Sequence, residues 1–500
     1  MLRIALAVAL LAAGCARLPA ADIERPRSSA FSDTSATRLG RALAPALAAN
    51  RGKSGIYALA DGRDAFAARV LLARAAEKSL DVQYYILRAD VTGSLLCEAL
   101  WQAAERGVRV RLLLDDAGTR GLDQQLAALD AHPNIEVRLF NPYANRSFRL
   151  GESITDFSRL NRRMHNKSFT ADNQATIVGG RNIGDEYFGA ESDVAFADLD
   201  LIATGAVVRD VSADFDAYWN SVSAVPVASL ITSGTNNADV IRAGWAKLAA
   251  DPAAARYTEA LRSTMLVQQL IAGTLSLEWA PARLVSDSPA KVLNPPERKD
   301  LHMLSQLDAA IGKPARELDL VSPYFVPTEE GTAALVGLVK RGVKVRVLTN
   351  SLAATDVSVV HAGYSKYREE LVRGGVRVYE LKPALQERDR EGMGGSDASL
   401  HAKTFSVDRS RIFVGSFNFD PRSARLNTEM GVVVEDAALA SRLSEALDRD
   451  LARYAYEVRL SGNELVWIDG ARQHDSEPGA GMLKRAWIGF LSILPIEWLL

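Results

Sequence analysis

Cysteine is almost absent from the 500 residues, Cys15 and Cys97 being the two in the chain. That excludes a disulfide scaffold and any cysteine-rich metal site. Long apolar runs are missing too: none approaches the ~20 residues a helix needs to cross a bilayer, which excludes a polytopic membrane protein. Neither sign of charge dominates, with 59 basic residues against 61 acidic and a formal net charge of −2. Nucleic acid is therefore not an expected partner, and no basic track interleaved with aromatics occurs to serve a single strand. Histidine is scarce, with six in all. What remains is the balance of a folded protein. The 48% hydrophobic and 24% charged residues exclude disorder, and the length points to two domains.

The two ends differ from the middle. Arg3 precedes an unbroken apolar stretch, Ile4–Ala13, too short to span a membrane and shaped like an export signal. The segment Leu11-Ala12-Ala13-Gly14-Cys15 resembles a bacterial lipobox, with Ala12 where a leucine is usual. The resemblance implies a signal over 1–15, lipidation of Cys15 and, with Ala16 following, an outer-membrane lipoprotein facing the periplasm. Residues 16–50 are rich in Ala, Ser, Arg and Pro without sustained periodicity, and read as a tether. In the tail, 461–500, Lys484-Arg485 precede the apolar stretch Ala486–Ile496, with Trp487 and Trp498 beside it. Such a segment lies in a membrane interface or docks on the protein's own surface. Cys97, in the helical pattern Leu95–Leu100, reads as a buried small hydrophobe.

The middle of the chain repeats itself. Arg106-Gly107-Val108-Arg109-Val110-Arg111-Leu112-Leu113 returns 235 residues later as Arg341-Gly342-Val343-Lys344-Val345-Arg346-Val347-Leu348. Each copy reads as a helix, a glycine turn and a buried strand. Leu80–Tyr85 has a counterpart in Leu318–Tyr324, and Val137–Phe140 in Val378–Leu381. Strand and helix alternate in both halves, which predicts an α/β fold with a largely parallel sheet and helices on both faces. The spacing is that of a duplicated domain, over 51–240 and 265–460, with 241–264 as the connection.

Two of the six histidines open the same pattern. His165-Asn166-Lys167 is followed by Asp172 and Gly179-Gly180-Arg181-Asn182; His401-Ala402-Lys403 is followed by Asp408 and Gly415-Ser416-Phe417-Asn418. The motifs lie 236 residues apart, in step with the repeat. Ala171-Asp172-Asn173-Gln174 is a hairpin turn signal, so two strands flank it. Residues two apart in a strand face the same way, so His165 projects with Lys167 and His401 with Lys403. An imidazole nucleophile beside an ammonium suits phosphoryl transfer: one attacks phosphorus while the other holds the equatorial oxygens. Asn182, Asn418 and Ser416 are candidate donors to a phosphate. Asp172 and Asp408 stand in the turns, where aspartate is ordinary turn chemistry.

This double pattern resembles the phospholipase D superfamily, the HxKxxxxD enzymes, over nearly all of 51–460. The resemblance implies two α/β/α sandwich domains about a pseudo-two-fold axis with one shared active site. It also implies that His165 forms a phosphohistidine, that His401 serves as acid and base, and that Asp172 and Asp408 count with the catalytic set. No metal or other cofactor is implied. An acidic residue after each motif orients a histidine in this family: Glu429 in the second half, and Asp198 or Asp200 in the first, between which the sequence does not choose. Gly180 departs from the commoner Gly-Ser-x-Asn and removes a hydroxyl from the first half-site.

The segments Val321–Pro327, Asn350–Val357 and Leu494–Trp498 look like bacterial cardiolipin synthases, of the type lacking N-terminal membrane helices. The implied function is transfer of a phosphatidyl group to phosphatidylglycerol from a second phosphatidylglycerol or from phosphatidylethanolamine, with phospholipid substrates met at a membrane surface. Hydrolysis to phosphatidic acid, or a secreted nuclease, are the alternatives. His361, in the same region, either lines the acceptor pocket or sits on a helix surface.

Overall fold

The computed structural model describes residues 23–190, 194–231, 238–383, 397–494 and 497–500. The export signal and Cys15 lie outside these residues, as does part of the C-terminal apolar stretch. Two large sheets carry the fold, one per half. Each is centred on three parallel strands from the sequence repeat: Ser79–Ile86, Arg109–Gly118 and Ile135–Phe140 in the first, and Glu317–Val321, Lys344–Asn350 and Arg377–Leu381 in the second. The preceding helix ends at a glycine in the left-handed region in both copies, Gly107 at φ 90° and Gly342 at φ 88°. The chain can then turn straight into the buried strand.

The sheets are mixed, a correction to the largely parallel arrangement expected. Beyond the three central strands, the pairings within each sheet are antiparallel. The motif itself causes this, because Ser168–Ala171 and Ala175–Gly179 form a hairpin, as do Thr404–Val407 and Arg411–Gly415. A hairpin can only be antiparallel. Side chains alternate between the two faces of the first sheet. Leu112 and Leu114 join the core under the helices Gly62–Ala75 and Val91–Glu105, whereas Leu113 joins that of the helix Ala206–Trp219.

A third apolar cluster belongs to both halves. Val178, Leu201 and Val211 of the first pack with Ile412, Met430 and Val432 of the second. The chain crosses from one sheet to the other at Pro281. Glu278–Ala280 pairs with the first sheet and Ala282–Ser286 with the second. The helices within 238–272 pack against the first half, so the first domain extends past 265. The second sheet continues through Glu464–Asp469 and Arg472–His474, beyond residue 460.

Residues 23–50 are not a tether. Arg38–Ala49 is a helix capped by Thr37, and the segment before it is stitched to the first domain. Asp216 accepts from the Ala30 N–H, Asn220 from the Ser28 N–H, and Arg111 donates to the Ser28 carbonyl at 3.1 Å. The attachment of residues 23–37 is mostly polar and leaves no apolar pattern there, whereas the helix Arg38–Ala49 is amphipathic and packs Leu39 against the first core. Arg111 belongs to a duplicated buried pair: its guanidinium lies 2.7 Å from Asp81 on the neighbouring strand, as Arg346 lies 2.7 Å from Asp319.

In the C-terminal tail, the helix Met482–Ile493 docks on Ser358–Arg373 through Ile488 and Leu491. His361 does not sit on the helix surface. It is buried, with Nε2 2.7 Å from Glu477, which Arg368 also binds at 2.8 Å. Among the described residues, no helix is long and apolar enough to cross a membrane.

Arg111→Ala should destabilise the protein by about 3–5 kcal/mol, because it leaves the Asp81 carboxylate buried without its partner. Denaturant unfolding measures this. Asp81→Asn with Arg111→Met should recover most of the loss.

Candidate active site

The two motifs meet through backbone pairing between the domains. Met164 bridges Thr428 in parallel, and the His165 N–H donates to the Thr428 carbonyl at 2.9 Å. In the other half, Asp397–Leu400 pairs in parallel with Val194–Ala197, and the His401 N–H donates to the Ala197 carbonyl at 2.9 Å. Each histidine therefore arrives beside the residue that follows its partner strand. Those residues are acids from the opposite half. His165 Nδ1 lies 2.8 Å from Glu429, and His401 Nδ1 lies 2.6 Å from Asp198.

The structure thus chooses Asp198 over Asp200, whose carboxylate is held by Arg69 at 2.9 Å. A carboxylate on Nδ1 fixes the proton there and leaves Nε2 as the basic nitrogen; at His401 the Lys403 ammonium also lies 3.1 Å from Nε2. The two sites are alike in their surroundings. Tyr85 stands edge-on to the His165 ring at 5.1 Å between centroids, and Tyr187 to the His401 ring at 5.1 Å. Lys167 and Lys403 are buried, and each donates to the carbonyl of its own histidine. Both precede the regular strands, which begin at Ser168 and Thr404.

Burial and neighbouring charge set the protonation states. Burial pushes the His165 imidazole down to about 4, with Glu429 opposing and Lys167 and Lys403 adding to the fall. Burial also holds His401 well below 6.5, and Lys403, Lys167 and His165 act in the same direction. The field of each motif reaches the histidine of the other, which is what one shared site requires. Burial lowers Lys403 to about 8 and Lys167 well below the usual range, although Asp198 and Glu429 oppose it. The acids differ. Burial pushes Asp198 up, whereas His165, Lys167 and Ser416 outweigh burial at Glu429 and hold it below its usual range.

Hydroxyl groups account for part of that difference. Ser416 Oγ and Ser423 Oγ both donate to the Glu429 carboxylate, and its N–H is held by Asp287 at 2.8 Å. The Ser416 hydroxyl, a candidate phosphate donor in the sequence, is turned to the acid here and orients it. Gly180 takes the equivalent place in the first motif for a steric reason: a Cβ there would lie 2.2 Å from Asp198 Oδ1. Asn182 donates to the Tyr187 hydroxyl at 2.9 Å, while Asn418 Oδ1 is buried and has no hydrogen-bond partner among the described residues.

Asp172 and Asp408 do not belong to this group. They occupy left-handed turn positions, φ 52° and 54°, at the far ends of the strands that leave the lysines. Asp172 accepts from the N–H groups of Glu77, Lys78 and Ser79, and Asp408 from those of Ala315, Arg316 and Glu317. Each ties its hairpin to the first central strand. Tyr85, Tyr187, Ser423 and Asp287 escaped the sequence reading because no spacing relates them to either motif.

A family described as "Cardiolipin synthase, PLD-like domain" matches residues 71–219 and again 307–451. The chain belongs to that family. It is 48% identical over 475 residues to cardiolipin synthase C of Escherichia coli (strain K12), covering 93% of this chain and 100% of that protein. Cardiolipin synthase A of Pseudomonas aeruginosa (strain UCBPP-PA14) is 28% identical over 411 residues, 82% of this chain and 68% of that one. Among solved structures, the phosphatidylserine synthase of Haemophilus influenzae Rd KW20 matches with a TM-score of 0.57 and 14% identity, covering 93% of this chain and 99% of that one. That likeness is one of fold. Within this cardiolipin synthase family, the chain is an enzyme with two phospholipase D-like domains.

Because both imidazoles are held below 6.5, with His165 at about 4, the acidic limb of kcat/KM should lie well below pH 6.5. If His401 is the acid of the first step, the alkaline limb of kcat/KM should also begin below 6.5, because that imidazole loses its proton there in the free enzyme, with a further fall near pH 8 where Lys403 loses its own. An acidic limb at or above 6.5 would contradict neutral imidazoles in the free enzyme. Gly180→Ala should displace Asp198 and lower kcat about 10²-fold, as steady-state rates would show.

Proposed function

We propose that the chain makes cardiolipin by transferring a phosphatidyl group onto phosphatidylglycerol, the donor being a second phosphatidylglycerol or phosphatidylethanolamine. The observation that carries this reading is the crosswise pairing of His165 with Glu429 and His401 with Asp198 inside one buried, lysine-bearing site. His165 Nε2 attacks the donor phosphorus, the P–O bond to the head-group alcohol breaks, and His401 gives that alcohol its proton. Phosphatidylglycerol then enters, its hydroxyl proton passes to His401, and its oxygen displaces His165 from phosphorus. His401 is neutral in the free site. It takes that proton from solvent as the phosphodiester anion binds, whose charge counters Lys167 and Lys403. Assigning attack to His165 agrees with its better-held acid: an ionised Glu429 stabilises the positive charge that develops on the imidazole.

We infer that the enzyme meets its substrates at a membrane surface, anchored through a lipidated Cys15 at the outer membrane and facing the periplasm. The lipobox-like run before Cys15 supports this reading.

Labelled phosphatidylglycerol, with and without phosphatidylethanolamine, should yield cardiolipin in excess over phosphatidic acid when the lipid products are separated. Mostly phosphatidic acid would make the enzyme a hydrolase. His401→Asn should trap a phosphatidyl adduct on His165 with a donor carrying a good leaving group, and His165→Asn should form none; mass spectrometry of the protein reads both. Cys15→Ser should abolish acyl labelling in cells fed labelled fatty acid. Unlabelled wild type would remove the anchor.

A further inference from the structure

Two segments of the surface leave large apolar side chains in water. A surface helix normally buries its apolar side chains and leaves its charges in water. The segment 146–160, which leads into the first motif, does the reverse. Arg146 and Arg149 point inward onto Asp116, and Arg159, almost wholly buried, binds Asn141 Oδ1 at 2.9 Å and Glu152 at 3.0 Å. The apolar side chains are left outside, with Phe148 65% exposed, Leu150 76% and Ile154 65%.

The helix Met482–Ile493 of the second half also leaves large apolar side chains in water, although it keeps no charge inside. Ile488 holds it to the body, while Leu483 is 88% exposed and Ile493 81%. Trp487 and Phe490 stack on each other at 5.7 Å and are each 54% exposed.

The chain just beyond each segment is held by one arginine near the active site. The Arg422 guanidinium donates to the Asn161 carbonyl at 3.0 Å and to its Oδ1 at 2.7 Å, and also to the Leu499 carbonyl at 2.7 Å. Asn161 ends the first segment, four residues before His165, and Leu499 lies six residues beyond Ile493. One arginine thus ties the ends of both apolar segments together across the two domains.

We propose that segment 146–160 and helix Met482–Ile493 form one bipartite platform that inserts into a phospholipid leaflet and delivers lipid to the histidines. The proposal deepens the lipid-substrate reading given above and rests on it. Charge favours a leaflet as the occupant. The cations of the first segment are already neutralised by Asp116, Asp123 and Glu152, so immersing it strands no free charge. On the second, Lys484 and Arg485 stand beside the exposed aromatics, where they can reach anionic head groups.

The test compares turnover of long-chain phosphatidylglycerol in vesicles with turnover of dispersed dihexanoylphosphatidylglycerol. Leu150→Glu with Ile154→Glu, and separately Leu483→Glu with Ile493→Glu, should lower the vesicle rate about tenfold and leave the dispersed-lipid rate unchanged. Unchanged vesicle rates would overturn the proposal. Equal losses on both substrates would also overturn it, making the segments supports of the catalytic fold. A wild-type dimer that these variants convert to monomer would assign the surface to a second copy of the chain, again overturning it. Brominated lipids in the vesicles should quench Trp487, measured against Trp487→Phe. That signal needs no turnover, so it separates a failed platform from a failed assignment of the substrate.

Discussion

Each half of this protein holds a histidine that is incomplete without a carboxylate from the other half. Glu429 reaches back to His165 and Asp198 reaches forward to His401, at 2.8 and 2.6 Å. Neither domain alone could orient its own imidazole. The rest of the architecture serves that exchange: the parallel bridges at Thr428 and Ala197 set the register, and the mixed cluster of Val178, Leu201, Ile412 and Val432 presses the sheets together. A shift of one residue in either bridge would turn the acid to the opposite side of its strand.

The cost of that exchange is a dense set of buried charges. Two lysines, two imidazoles and two carboxylates share a site closed to most water, and isolated ions there would be expensive to desolvate. The arrangement answers by alternating sign and by keeping both imidazoles neutral until an anionic phosphodiester arrives. Symmetry is broken where chemistry needs two different roles. Ser416 and Ser423 clamp Glu429, whereas Gly180 leaves room for Asp198 without supplying a hydroxyl. Near-identical motifs therefore sit in unequal environments, which suits one base that attacks and one group that returns a proton.

Much of this was legible in the chain. The repeat at Arg106–Leu113 and Arg341–Leu348 announced the duplication, because buried central strands need the same apolar run and the same glycine turn in both copies. The motif residues His165, Lys167, His401 and Lys403 were legible because the same spacing recurs in step with the repeat, although they lie just before the strands Ser168–Ala171 and Thr404–Val407 and not within a pleat. The antiparallel flanks were already implied by the turn Ala171–Gln174, although helix–strand alternation suggested a parallel sheet. Residues 16–50 looked like a tether; over 23–37 polar side chains of the domain, which leave no periodic trace in the segment itself, satisfy its backbone, and the helix Arg38–Ala49 was missed with it.

What the sequence by itself determined is whatever depends on neighbours a few residues apart: strands, turns, the histidine–lysine pairs and the turn role of Asp172 and Asp408. The tertiary structure alone decided whatever depends on contacts across hundreds of residues. It paired His165 with Glu429, 264 residues away, and His401 with Asp198, 203 residues away, and it set Asp200 aside for Arg69. It turned the Ser416 hydroxyl to the acid and buried His361 against Glu477. The physical reason is that a hydrogen bond is directional over about 3 Å, while sequence spacing constrains direction only within one element. Which carboxylate a buried imidazole meets is settled by how two sheets dock.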